Sequence, residues 1–110
     1  MKKNIYKKLV RDRIPEINET DNSVCKTRIL DNKEFETELR NKLVEESKEV
    51  LNASKEELID ELADVLEIIY SLVNVNKLKI KDVEKTRQMK KEKRGGFDKK
   101  IFLEWSGPKI

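Results

Sequence analysis

The chain has 110 residues, of which 43% are charged and 36% apolar, with a formal net charge of +3. That length fits one domain, 1–110, with a thin core, and so mild a charge does not mark a nucleic-acid binder. With no His and a single thiol, Cys25, the chain is denied imidazole catalysis, a histidine-held metal, an internal disulfide and a cysteine zinc site.

The lone cysteine reads as structural or incidental and fits a reducing compartment. No apolar run approaches the roughly 20 residues needed to cross a bilayer, and the basic residues 1–8 lead into no apolar signal core. The expectation is a soluble, cytoplasmic protein with no membrane partner. Apolar residues clustered at helical spacing, with only three Gly and two Pro, argue for folded helices rather than disorder.

Residues 1–30 read as irregular. Pro15 opens a short helix through about Asn18, Thr20 to Ser23 form a turn, and Lys26 to Leu30 are extended. Asp31 is an N-cap with Glu34 as its capping-box partner, so a long helix is expected over residues 32–53. Ser54 and Glu57 repeat the signal for a second long helix ending near Asn76. The short break makes the two an antiparallel hairpin. A third helix starts near Lys81-Asp82 and stops at Gly95-Gly96. The tail, with Phe97, Ile101, Phe102 and Leu103, is expected to pack back as a short extended piece.

On a helical wheel, Phe35, Leu39, Leu43, Val50 and Ala53 form one apolar stripe, with Glu46 in its middle and Glu49 at its edge. The second helix has a broad apolar sector, running from Leu58 to Val73, that contains Glu61, with Asp64 at its border. A carboxylate on a core-facing stripe costs several kcal/mol unless it is compensated. The pairs Glu46/Glu49 and Glu61/Asp64 are each spaced i, i+3 and share a helix face. A hairpin brings the two pairs together, and a hard divalent cation held by oxygen ligands alone, Mg²⁺ with Mn²⁺ as a substitute, resolves their repulsion. The plainer reading is that such glutamates are solvated or paired with lysines, Lys42 among them. Glu45 and Asp60 are placed on the solvent side.

Arg87, Lys90 and Arg94 share a stripe on the third helix, and Lys93-Arg94 leads into Gly95-Gly96. Lys8 and Arg11 form a second basic cluster. Taken alone these are solvated faces; beside a carboxylate site they become candidates for binding phosphate. Tyr6, Tyr70 and Trp105 are read as packing residues before base-stacking ones. The apolar sector of the second helix exceeds what one hairpin and a third helix can cover, so a homo-oligomer is expected, a dimer at the minimum, either homodimer or homotetramer.

Three segments resemble the all-α, MazG-like nucleoside triphosphate pyrophosphohydrolases, closest to the phosphoribosyl-ATP pyrophosphohydrolase-like branch. Residues Lys8 to Ile17 resemble its opening motif. Glu45-Glu46-Ser47-Lys48-Glu49 with Asp60-Glu61-Leu62-Ala63-Asp64 resembles the E-x-x-E and E-x-x-D signature. Lys93 to Phe97 with Ile101 to Glu104 resembles the closing motif, except that Lys100 stands where the branch usually has glycine. The loop between the two acidic motifs is also short.

The resemblance implies an all-α fold: a helical hairpin plus a third helix in an oligomeric four-helix-type bundle, with irregular terminal segments. It implies Glu46, Glu49, Glu61 and Asp64 as Mg²⁺ ligands, and cleavage of a nucleotide between its α and β phosphates to give a monophosphate and pyrophosphate. Glu46, or its neighbour Glu45, is the candidate general base. Lys93 and Arg94, with Lys8 and Arg11, are the candidates that steady the leaving pyrophosphate. House-cleaning of nucleotides is the expected role. The alternatives are hydrolysis of phosphoribosyl-ATP in histidine biosynthesis, and a non-enzymatic helical module that binds or regulates.

Overall fold

The computed structural model describes residues 3–20 and 23–110. The turn expected at Thr20 to Ser23 has its centre, Asp21 and Asn22, outside those residues. The described residues form four helices and no strand, an all-α chain, in two compact units, Met1–Leu78 and Lys79–Ile110.

Within the first unit, α1 spans Ile14–Thr20, two residues beyond the expected end. The Thr20 hydroxyl donates to the Glu16 carbonyl at 3.1 Å at the extended end, and Arg13 reaches forward to the Glu16 carboxylate at 3.3 Å at the start. Helix α2 spans Asn32–Asn52 and opens as expected on Asp31, whose carboxylate accepts the Glu34 N–H at 2.8 Å. The other half of the capping box is replaced. The Glu34 carboxylate is taken by the Arg28 guanidinium through two bonds of 3.1 and 2.6 Å, a fork geometry stronger than one bond to a backbone N–H.

Helix α3 spans Leu58–Val75. Here the box is reciprocal: the Ser54 N–H donates to Glu57 Oε1 at 3.1 Å, and the Glu57 N–H donates to Ser54 Oγ at 3.3 Å. Regular helix begins only at Leu58, because residues 55–57 are a turn. A connection this short, with extensive packing of α2 on α3, makes the hairpin antiparallel. At its far end Lys77 takes a left-handed φ of 56°. The Lys77 N–H bonds the Asn74 carbonyl at 3.1 Å and the Leu78 N–H bonds the Val73 carbonyl at 2.9 Å, a Schellman closure with lysine where glycine is the usual residue.

The core is thin, as the composition implies. Its buried apolar side chains are Leu39 on α2 and Ile68 and Val73 on α3. On α3, Ile59, Leu62, Leu66 and Tyr70 are exposed at spacings of three and four residues, so among the described residues of this unit one side of the apolar sector is left uncovered.

In the second unit α4 spans Ile80–Arg94 and ends at Gly95, whose φ of 82° only glycine adopts cheaply. Within this unit the tail does not pack on α4: Phe97, Ile101, Phe102, Leu103 and Trp105 are all at least 75% exposed. Helix α4 is lysine-rich, and its apolar Val83 and Met89 are themselves exposed, so the unit has no buried apolar face to receive them. Lys100, at the position of the branch's glycine, still takes a left-handed φ of 58°, and its N–H bonds the Phe97 carbonyl at 3.0 Å. The backbone there keeps a shape suited to glycine although the residue is not one.

Candidate metal centre

The capped hairpin places the acidic residues near its turn. Glu46 lies in the second half of α2, and Glu61 and Asp64 lie in the first two turns of α3. An antiparallel pair joined at residues 53–57 brings these stretches opposite each other. Glu46, Glu61 and Asp64 each offer a carboxylate oxygen, and the three oxygens lie within 4.8 Å of one another.

Burial follows the wheel. The Glu46 side chain, in the middle of the α2 stripe, is only 14% exposed. Glu61 is half-buried, and Asp64, at the sector's border, is 40% exposed. Glu49, at the stripe's edge, is exposed and stands outside the converging three. It is still near enough to act on them. The Glu61 carboxyl is held above the ordinary carboxylate range, first by partial burial, then by the charges of Glu46, Glu49 and Asp64 and a shared hydrogen bond with Glu46. Glu45 and Asp60 are exposed, as their wheel positions require.

Two cations border the cluster. Lys42 Nζ lies 3.9 Å from Glu46 Oε1, one turn back on α2, and its side chain is only 20% exposed. This i, i+4 lysine pairing stands at the outer limit of an ion pair. The closer contact joins residues 53 positions apart: Arg11 donates to Asp64 Oδ1 at 2.7 Å. Arg11 was expected to meet phosphate, and no spacing rule signals its pairing with Asp64. Only its basic character, in a segment preceding an acidic hairpin, hints at it.

The remaining candidates belong to other segments of the chain. Lys8 stands 5.4 Å over the Tyr6 ring, a cation–π contact on the N-terminal segment. Lys93 and Arg94 close α4 in the second unit, both exposed. Tyr6 and Trp105 are exposed, and Tyr70 is more than half covered. Cys25 is a free, exposed thiol.

The donor set is carboxylate oxygen only, which suits a hard divalent cation and not zinc or a soft metal. Glu46, Glu61 and Asp64 bring three carboxylate oxygens within 4.8 Å of one another, and the residues present therefore fit a divalent ion. Carboxylates facing each other across two helices are a recurrent way for an all-α protein to hold a metal ion.

Residues 7–91 match the family model described as phosphoribosyl-ATP pyrophosphohydrolase, well over half of the chain, and the protein belongs to that family. It is accordingly a nucleotide pyrophosphohydrolase, a hydrolase acting on phosphoanhydride bonds, and the non-enzymatic helical module is set aside. The matched range holds the opening motif and all four acidic candidates; Lys93, Arg94 and the closing segment lie beyond it. Divalent-metal dependence, general in the family, agrees with the carboxylate cluster. Neither the curated proteins nor the solved structures give a significant match. No helix among the described residues is long and apolar enough to cross a membrane.

Proposed function

We propose that the chain, acting as a single domain, hydrolyses a nucleoside triphosphate or related nucleotide between its α and β phosphates in the presence of Mg²⁺, in a house-cleaning role in the cytoplasm. The observation that carries this reading is the convergence of Glu46, Glu61 and Asp64 from two facing helices. Glu46, Glu61 and Asp64 hold the cation, with Glu49 as a fourth ligand from the edge of α2. The ion, when bound, neutralises phosphate charge and makes water a better nucleophile.

The chain's own groups do the rest. Glu46 is the least exposed of the carboxylates and is the preferred proton acceptor; Glu45, one residue away, points to solvent and is the reserve. Arg11, already beside the cluster, is the cation best placed to meet phosphate oxygens, with Lys8 on the same segment. Lys93 and Arg94 steady the leaving pyrophosphate. The uncovered row Ile59, Leu62, Leu66 and Tyr70 supports a homodimer or homotetramer as the working form.

The description of the matched family favours a second substrate, phosphoribosyl-ATP, which undergoes the same bond cleavage. Pyrophosphate release measured with Mg²⁺ over standard nucleotides, non-standard nucleotides and phosphoribosyl-ATP separates the two. Turnover of several triphosphates supports house-cleaning; turnover of phosphoribosyl-ATP alone replaces it with the biosynthetic reading.

A further inference from the structure

Residues 3–20 are loosely held. Within them Leu9, Ile14, Pro15 and Asn18 are half-covered, the rest are exposed, and α1 has no buried residue. Among the described residues, the Arg11–Asp64 bond is the one side-chain hydrogen bond or ion pair that joins this segment to α2 or α3. The other polar contacts of the segment are local: Arg13 to Glu16, Thr20 to Glu16, and backbone turns. Its single polar tie thus ends on one of the three converging carboxylates.

Asp64 faces two claimants. Arg11 supplies one positive charge through one bond at 2.7 Å, with both side chains about half exposed. Exposed pairs of this kind are weak and readily exchanged. A divalent cation supplies two charges and is shared with Glu46 and Glu61. The guanidinium and the cation satisfy the same negative charge, so each weakens the other's hold on it.

We propose that Arg11 is a metal-responsive latch: in the cation-free protein its guanidinium serves as counter-ion to Asp64 and ties down residues 3–20, and occupation of the carboxylate cluster by a divalent cation releases it. The released guanidinium is then free, beside the cluster, to take a phosphate oxygen of the incoming nucleotide. The inference rests on the metal-ligand reading above. It adds that the N-terminal segment senses cation loading through the Arg11–Asp64 pair. Coupling of this kind is reciprocal: whatever Arg11 gains from Asp64, the cation must overcome.

The test uses Mn²⁺, titrated without nucleotide and followed by electron paramagnetic resonance, into the full chain and its Arg11→Gln, Arg11→Lys and Glu61→Gln variants. Arg11→Gln is expected to bind Mn²⁺ about two- to five-fold more tightly than the wild type, the worth of one exposed ion pair, with Arg11→Lys between the two. Hydrogen exchange supplies a second readout. Mg²⁺ should speed exchange in residues 3–20 of the wild type, and those amides should already be fast and indifferent to Mg²⁺ in Arg11→Gln. Unchanged or weaker Mn²⁺ binding by Arg11→Gln, or slower exchange on adding Mg²⁺, overturns the latch. Glu61→Gln separates this failure from that of the site itself: if it binds Mn²⁺ as the wild type does, the ligand reading fails as well.

Discussion

Replacing Glu61 by Gln keeps the shape of the side chain and removes one charge from a cluster whose carboxylate oxygens lie within 4.8 Å of one another. Losing a residue that merely orients a metal ligand already costs about 10- to 100-fold in affinity or activity. Losing one of three converging ligands should therefore weaken Mg²⁺ binding by at least about 100-fold, with turnover at fixed Mg²⁺ falling in step. The metal-free fold should respond in the opposite direction. Because the Glu61 carboxyl titrates above its ordinary range, the unfolded chain gives up this proton first as pH rises. The folded form binds more protons across that window, so its stability falls as pH rises from the ordinary glutamate value through the raised one. Glutamine has no such proton, and the fall should disappear. The assay is a pair of thermal melts across pH 4–8 without metal, set beside pyrophosphate release with Mg²⁺. Normal turnover in Glu61→Gln, or a metal-free melting temperature lower than that of the wild type at neutral pH, would refute the reasoning.

The thin core makes Leu39→Ala costly: with only 3% of the residue exposed, about 2–3 kcal/mol should be lost, read as a drop in thermal midpoint of roughly 10 °C or more. A loss well under 1 kcal/mol would mean that Leu39 is not in the core. Lys77→Gly should stabilise, because lysine there pays for a left-handed φ of 56° that glycine adopts freely. The net gain after glycine's greater chain entropy is about 0.5–1 kcal/mol, visible as a rise of a few degrees; a lower midpoint would contradict the Schellman closure.

Features decided by local chemistry were legible in the sequence. Asp31, Ser54 with Glu57, and Gly95 mark helix boundaries because each acts on backbone groups within a few residues of itself. The acidic cluster was legible for a related reason: Glu46 and Glu61 interrupt apolar stripes, and a short connection leaves α2 and α3 only one way to meet. Features decided by the competition of distant groups were not. Arg28 draws Glu34 away from its box, and Arg11 finds Asp64 across 53 positions. Lys77 and Lys100 adopt left-handed backbone although lysine carries no preference for it. The tail's aromatic and aliphatic residues looked like packing material, yet α4 presents too little apolar surface to bury them. Glu49 shares its face with Glu46 but stops short of the cluster, because an edge position on the stripe leaves the side chain in solvent.

A crystal of the Mn²⁺-loaded protein, with diffraction collected at the manganese absorption edge, tests the central claim most directly. The expected result is an anomalous peak coordinated by Glu46, Glu61 and Asp64, with Glu49 drawn in as the fourth ligand. A peak bound elsewhere, with these carboxylates uncoordinated, would contradict it.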